Sequence, residues 1–179
     1  QVVVTLHCPS EEDIALDIIR ILFERNLNEE VRGIYLFGSY AREEYDFNSD
    51  IDVLVLTENV NKLIKQGNYE ILLVSEKNFL RNLPHNLNYL SMLRELKVIL
   101  NKELIEKYHV KNRKLDANGF LKEIERVIRI NQGSLITCKE SKKNIPDGIV
   151  YSVVLRLREL YLIKCLFMRK AYRKNDFLK

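Results

Sequence analysis

Two aspartates separated by one apolar residue, Asp50 and Asp52, have the types and spacing of a metal-binding pair. An apolar run follows them and predicts a strand, along which side chains alternate between the two faces. Both carboxylates should therefore lie on one face, with Ile51 and Val53 directed into the core. Neighbouring carboxylates repel each other unless a cation lies between them, and Mg²⁺ is the usual cation of an all-oxygen site. The pair predicts a magnesium site.

Upstream of this pair, Gly38 and Ser39 follow an apolar segment and predict a tight turn into a short helix. Glycine allows a ligand to approach the backbone closely, and the amides of a turn that leads into a helix attract phosphate. A phosphate-binding turn that faces a metal-binding carboxylate pair is the combination that nucleotide chemistry requires.

The elements that would position these residues follow from hydrophobic spacing and from capping and turn residues. We predict strands at 33–37, 50–56, 69–74 and 97–100. We predict helices at 11–27 (capped by Ser10), 75–80, 87–96 and 103–108, and one helical turn around Leu63 and Ile64. Together they form an α/β (α+β) domain over residues 1–110, in which helices flank a small mixed sheet.

A change of composition at residues 111–114 marks a linker to an all-α helical-bundle domain over residues 115–179. Helical spacing of apolar residues predicts helices at 117–141 and 150–172. On the second of these we expect five side chains to face inward: Val154, Leu157, Tyr161, Cys165 and Met168.

The composition, 46% hydrophobic and 30% charged over 179 residues, is that of an ordinary soluble globular protein. No apolar run is long enough for a bilayer span or a signal peptide, so we expect no membrane association. The three cysteines are far apart and unpaired with histidine, which argues against disulfides and zinc and favours a reducing cytoplasm. Asn175 and Asp176 could cap a further helix, so we also consider that the sequence is a fragment of a longer protein.

The net charge of +4 conceals an uneven distribution. Residues 1–96 contain 9 Lys and Arg against 16 Asp and Glu, whereas residues 97–179 contain 20 against 9. This split suggests two regions with different functions, the basic one facing an anionic partner. It is equally compatible with attraction between the two regions or with solvated helix faces.

Over roughly residues 12–105 the chain resembles the minimal nucleotidyltransferases of the DNA polymerase beta superfamily. The family pattern is Gly-Ser, a short gap, Asp, apolar, Asp and an apolar run. It is matched here by Gly38-Ser39 and by Asp50-Ile51-Asp52, and Ala41-Arg42 and Ser49 match as well.

The resemblance implies a role for each matching residue. The nucleotide-binding residues would be Gly38, Ser39, Arg42 and Ser49, the first two on the β- and γ-phosphates. The catalytic and metal-binding residues would be Asp50, Asp52 and Glu70. Glu70, on the next core strand, would bind the catalytic metal and help deprotonate an acceptor hydroxyl. Two Mg²⁺ ions are implied, with Mn²⁺ as an alternative.

Two features depart from the family pattern. Glu43-Glu44 follows Arg42 where members often have Gly-Glu or Gly-Asp, and Glu70 stands where Asp is usual. Either change could weaken metal placement. From the residues alone, alternatives stay open: Glu70 as a solvated strand-edge acid, Arg42 as an exposed helix-surface residue, and Ser49 as a loop cap.

The implied activity is Mg²⁺-dependent transfer of a nucleoside monophosphate, AMP from ATP being the first expectation, to a hydroxyl acceptor with release of pyrophosphate. The acceptor could be a small molecule, a protein or RNA. The alternative is a non-catalytic nucleotide-binding protein, antitoxin-like or regulatory, that acts through a protein partner.

The helical domain resembles that of antibiotic nucleotidyltransferases, in which helices help bind the acceptor and dimerise, so we expect an acceptor-binding role or a homodimer. The arrangement is also similar to toxin–antitoxin pairs in which such a transferase accompanies a helical ribonuclease. The ribonuclease's Arg-x(4–6)-His motif is absent, because no histidine follows His109. Basic residues of the last helix could bring RNA to the site or simply solvate it: Arg156, Arg158, Lys164, Arg169, Lys170, Arg173 and Lys174.

Overall fold

The computed structural model describes residues 8–111 and 117–179 and divides them into two compact units. The first unit contains the described residues up to Asn82 together with Glu95–Lys111. The second contains Leu83–Arg94 together with the described residues from 117 onward. Residues 83–94, which the sequence analysis assigns to the first domain, thus lie in the second unit. Beyond Lys111, the predicted linker falls outside the described residues.

The first unit contains a five-stranded mixed sheet. Its strands are β1 (Val31–Phe37), β2 (Ile51–Thr57), β3 (Lys62–Gln66), β4 (Tyr69–Ser75) and β5 (Lys97–Leu100). They lie in the order β3-β4-β2-β1-β5, in which β2 and β4 are parallel and the other neighbours antiparallel. β2 is central, and its residues from Val53 to Leu56 are fully buried. Because both faces of the strand are buried over this stretch, these residues are apolar without interruption, as the sequence shows.

Helices lie between and after the strands along the chain, and after β5 the described elements are all helical. The helices are α1 (Glu11–Glu24), α2 (Gly38–Ala41), α3 (Glu76–Asn82), α4 (Leu87–Glu95), α5 (Lys102–Lys111), α6 (Ala117–Glu140), α7 (Asp147–Phe167) and α8 (Lys174–Phe177). Short 3₁₀ turns occur at Asn28–Glu30 and Leu83–His85. The predicted fold class, a mixed sheet flanked by helices and followed by a helical domain, is confirmed. In the part of the chain that is described, none of the helices has the apolar length that a bilayer crossing needs.

α1 belongs to the core of the first unit. Ile14, Ile18 and Ile21 recur at helical spacing and are buried in one cluster with residues of the strands. Its start is fixed by a capping box: the Asp13 N–H donates to Ser10 Oγ at 3.1 Å, and the Ser10 N–H donates to Asp13 Oδ2 at 3.0 Å. The predicted cap is therefore present.

The helical turn predicted around Leu63 and Ile64 is wrong, because this segment is β3. It pairs with β4 in an antiparallel hairpin whose closing pair is Gln66 and Tyr69. Gly67, at the first position of the two-residue loop, has a φ of +59°, which a tight hairpin turn requires and glycine supplies. Ile64 is the one buried residue of this edge strand, and its other residues are mostly polar or charged. The sequence therefore lacks the apolar alternation by which a strand is recognised.

The inward face predicted for the last long helix is also wrong in part. Val154, Leu157 and Met168 are each about half exposed, whereas Leu162 and Ile163 are buried. Leu162 and Ile163 pack in a cluster of the second unit whose other buried members are Leu87, Ile124 and Tyr172. α7 itself carries apolar side chains on nearly every face, so the spacing of these residues in the sequence does not indicate which face is buried.

Candidate active site

The turn after β1 places its backbone against Asp52. Phe37, the last residue of β1, pairs with Asp52 of the antiparallel neighbour β2. Gly38 follows with a φ of +71°, in the left-handed region that favours glycine. A Cβ at Gly38 would lie 2.1 Å from Asp52 Oδ2, so a side chain here would collide with the carboxylate. The structure thus brings the predicted phosphate-binding turn together with the second predicted metal-binding aspartate.

Glu70 lies opposite Asp52 on the neighbouring strand. The two residues pair in the parallel register of β2 and β4, so their side chains lie on the same face of the sheet. β4 lies between β3 and β2, and Glu70 is therefore not on a sheet edge. Lys65 of β3 forms an ion pair with the Glu70 carboxylate.

The site is strongly anionic around Asp52. Burial is the largest cause that raises the pKa of Asp52 to about 6, and the carboxylates of Glu70 and Asp50 contribute to this rise against the opposing effect of Arg42. Asp50 itself is exposed, immediately before β2. The carboxylates of Asp50 and Glu70 therefore disfavour the ionised form of Asp52.

Arg42 is held in the site by two carboxylates. Its side chain is only 11% exposed, which excludes the exposed helix-surface alternative. Nε donates to Glu44 Oε2 and Nη1 donates to Glu95 Oε2, both at 2.9 Å. The guanidinium is thus fixed close to the Gly38 turn by opposite charge on two sides.

Glu95 is a residue of this site that the sequence analysis missed. Its Oε1 accepts a hydrogen bond from the Gly38 N–H at 3.1 Å, and its side chain is 8% exposed. It reaches the turn because β5 is antiparallel to β1: Leu36 pairs with Lys97, and continuing this register brings residue 95 to residue 38. No motif marks Glu95, and only the pairing of β5 with β1 could have indicated it.

The two predicted serines differ in what they contact. Ser49 closes the loop before β2: its Oγ accepts from the Asp46 N–H at 2.9 Å and donates to Asp46 Oδ1 at 3.2 Å. The loop-cap interpretation of Ser49 fits these bonds. Ser39 is in the first turn of α2, and its backbone carbonyl accepts from the Glu44 N–H at 2.9 Å.

The carboxylates suit a hard divalent cation by type, since their mutual repulsion is what such a cation relieves. Their present arrangement does not complete a metal site. Within residues 8–111 and 117–179, no group of three or more His, Cys, Asp or Glu side chains is placed so that it could hold a metal ion. The donor set fits magnesium, and its side chains would have to converge to bind it.

The chain belongs to the nucleotidyltransferase domain family, whose model matches residues 16–143. The matched range contains every candidate residue described above, and it confirms the predicted family. Nucleotidyltransferase domains generally use divalent metals. A comparison with curated protein sequences found no match.

Two solved structures are similar to parts of this chain. A nucleotidyltransferase-like protein from Exiguobacterium sibiricum is 14% identical with a TM-score of 0.41, over 90% of this chain and 60% of that one. A candidate nucleotidyltransferase from Sulfolobus solfataricus is 22% identical with a TM-score of 0.29, over 38% of this chain and 73% of that one. The present chain therefore spans about three fifths of the length of the first.

Proposed function

We propose that this protein transfers a nucleoside monophosphate, AMP from ATP, to a hydroxyl acceptor and releases pyrophosphate, as a nucleotidyltransferase of the EC 2.7.7 type. The observation that carries the proposal is the juxtaposition at Asp52. This carboxylate contacts the Gly38 turn on one side and lies opposite Glu70 on the other. A phosphate-binding turn and a pair of acidic side chains on one sheet face are the parts that phosphoryl chemistry uses.

The triphosphate would bind at the start of α2. The Gly38 amide and the Arg42 guanidinium are hydrogen-bond donors aimed at one point, since both contact the same carboxylate in this structure. Ser39 adds a hydroxyl beside Gly38, and Ser49 holds the loop that leads into Asp50. With the phosphates anchored there, the α-phosphorus would lie toward the carboxylates.

Asp50, Asp52 and Glu70 would hold two Mg²⁺ ions, or Mn²⁺ in their place. When bound, these metals would neutralise the negative charge of the triphosphate and the charge that develops on the attacking and leaving oxygens. Asp52 must be ionised to serve as a ligand, and with a pKa of about 6 it is ionised above neutral pH. Glu70 would accept the proton of the acceptor hydroxyl as its oxygen attacks the α-phosphorus and pyrophosphate leaves.

The test is transfer of label from ATP carrying ³²P at the α-position. Purified protein is incubated with Mg²⁺, labelled ATP and separate pools of small hydroxyl compounds, RNA and cellular proteins. We expect label in one pool with the wild-type protein and none with Asp52→Asn. Equal labelling by Asp52→Asn would overturn the assignment of the site, and absence of labelling in every pool would argue against transfer.

A second candidate is a non-catalytic nucleotide-binding protein, antitoxin-like or regulatory. It is favoured by the ion pair of Lys65 with Glu70, which neutralises the third acid without a metal. Here ATP would bind without turnover, and a partner protein would co-purify with the full chain. Stoichiometric binding of ATP with no pyrophosphate release would support this candidate over the enzyme.

For the second unit we propose a role in acceptor binding or in homodimer formation, within the cytoplasm. Large apolar side chains are exposed along α7: Val150, Tyr151, Val154 and Leu157. Such exposed apolar side chains are typical of surfaces that meet a ligand or another chain. Sedimentation of the purified protein would show a dimer mass if the surface pairs with itself.

A further inference from the structure

The donors assigned to the triphosphate are already engaged by one side chain. Glu95 uses both of its carboxylate oxygens, Oε1 on the Gly38 N–H at 3.1 Å and Oε2 on Arg42 Nη1 at 2.9 Å. One contact is to a backbone amide of the turn and the other is to a guanidinium. These are the two kinds of donor that hold phosphate oxygens at such turns.

The fit of this carboxylate is close. Glu95 is 8% exposed and Arg42 is 11% exposed, so the bonds between them are largely shielded from water. Charged hydrogen bonds are stronger in such shielded surroundings than in water. Two oxygens of a planar carboxylate are spaced much as two non-bridging oxygens of a phosphate. Glu95 therefore makes the contacts that one phosphate group of a nucleotide would make.

The same contact places a further negative group, in addition to Glu70 and Asp50, close to Asp52. Glu95 is among the carboxylates that raise the pKa of Asp52, and Arg42 opposes them. A side chain whose function is only to pack would not need a charge in this position. The arrangement is that of an anionic ligand bound next to the metal-binding acids.

We propose that Glu95 is an internal competitor for the phosphate site, which a nucleotide must displace before it binds. This inference rests on the proposed function, because it takes Gly38 and Arg42 as the phosphate donors. Displacement breaks both bonds at once, so it lowers the affinity of a single phosphate and of a triphosphate alike. A triphosphate makes further contacts that offset this loss, whereas inorganic phosphate does not, so Glu95 would keep the site closed to inorganic phosphate.

The chain offers a matched control in Glu44. Glu44 also bonds Arg42 at 2.9 Å and is similarly buried, at 12% exposure. Glu44 accepts from Nε of Arg42, whereas the Gly38 amide donates to Glu95. Glu44→Gln therefore removes one negative charge beside Arg42 and leaves the proposed competitor in place.

The experiment is calorimetric titration with inorganic tripolyphosphate in excess Mg²⁺, on wild type, Glu95→Gln and Glu44→Gln. We expect Glu95→Gln to bind about tenfold more tightly than wild type, the worth of one hydrogen bond to a charged group, and Glu44→Gln to gain clearly less. Should Glu95→Gln fail to fold, Glu95→Asp is used, because its shorter side chain cannot span both donors. It should also bind more tightly than wild type.

The outcomes separate this inference from the proposed function. Equal affinity of wild type and Glu95→Gln, or an equal gain in Glu44→Gln, overturns the role of Glu95 while the phosphate site stands. Absence of tripolyphosphate binding to every variant overturns the phosphate site itself, and the role of Glu95 with it.

Discussion

Replacing Gly38 by alanine tests the contact on which the site depends. Gly38 has a φ of +71°, and an added Cβ would lie 2.1 Å from Asp52 Oδ2 and 3.0 Å from its carboxyl carbon. The substitution must therefore strain the backbone and also push the Asp52 side chain away from the turn. Gly67 is the matched control: its φ is +59°, and among the described residues no atom beyond its two chain neighbours lies within 4 Å of its added Cβ.

The two effects can be given magnitudes. An L-residue in the left-handed region costs about 1–2 kcal/mol, and both variants bear this cost. Forcing an extra carbon into an occupied position costs about another 1–3 kcal/mol, and Gly38→Ala alone bears it. We expect Gly38→Ala to lose about 3 kcal/mol of unfolding free energy and Gly67→Ala about 1 kcal/mol.

The assay is urea unfolding of both variants, followed by label transfer from ATP. Gly67→Ala should keep transfer close to wild type, whereas Gly38→Ala should lose on the order of 100-fold, because a displaced catalytic group loses its alignment. If Gly38→Ala unfolds at the same urea concentration as Gly67→Ala, the Gly38 turn does not lie against Asp52, and the reasoning fails.

Three further predictions concern other parts of the first unit. The pKa of Asp52 is raised from 3.8 to about 6, so its ionisation destabilises the fold as pH rises through this range and the loss is complete above it. Asp52→Asn should therefore be more stable than wild type at pH 8, by on the order of 1–2 kcal/mol once the partial exposure of Asp52 is discounted. This difference in unfolding free energy, measured by urea unfolding, should vanish near pH 4. A difference that does not change with pH would contradict the prediction. Ser10→Ala should lower the unfolding free energy by about 1 kcal/mol and leave ATP affinity unchanged, since it removes only the cap of α1; an unchanged thermal midpoint would contradict it. Arg42→Lys should weaken ATP binding about tenfold in calorimetry, because a lysine ammonium lacks the planar set of donors with which the guanidinium contacts two groups at once. If the variant bound ATP with wild-type affinity, Arg42 would not be a nucleotide-binding residue.

Much of the site could be predicted because its parts are local in sequence. The alternation of Asp50, Ile51 and Asp52 fixes the face of the aspartates once β2 is recognised as a strand. Glu70 was predicted from the family resemblance, because the family places a third carboxylate on the next core strand. The structure adds that Asp52 and Glu70 share one register position. Their catalytic and metal-binding roles stay predictions.

The parts that sequence reasoning missed depend on contacts between distant segments. Glu95 enters the site only because β5 pairs with β1, a choice of neighbour that no local pattern encodes. β3 is polar because it is an edge strand, so it lacks the alternation by which strands are recognised. The buried face of α7 depends on which of several apolar stripes other helices cover, and spacing alone cannot rank them.

The most direct test of the nucleotide site is calorimetric titration of ATP with and without Mg²⁺, for wild type and for the double variant Asp50→Asn/Asp52→Asn. We predict binding that requires both the metal and the two aspartates, because the carboxylates repel a triphosphate unless a cation lies between them. Equal binding by the double variant, or no binding by the wild-type protein in either condition, would contradict the account.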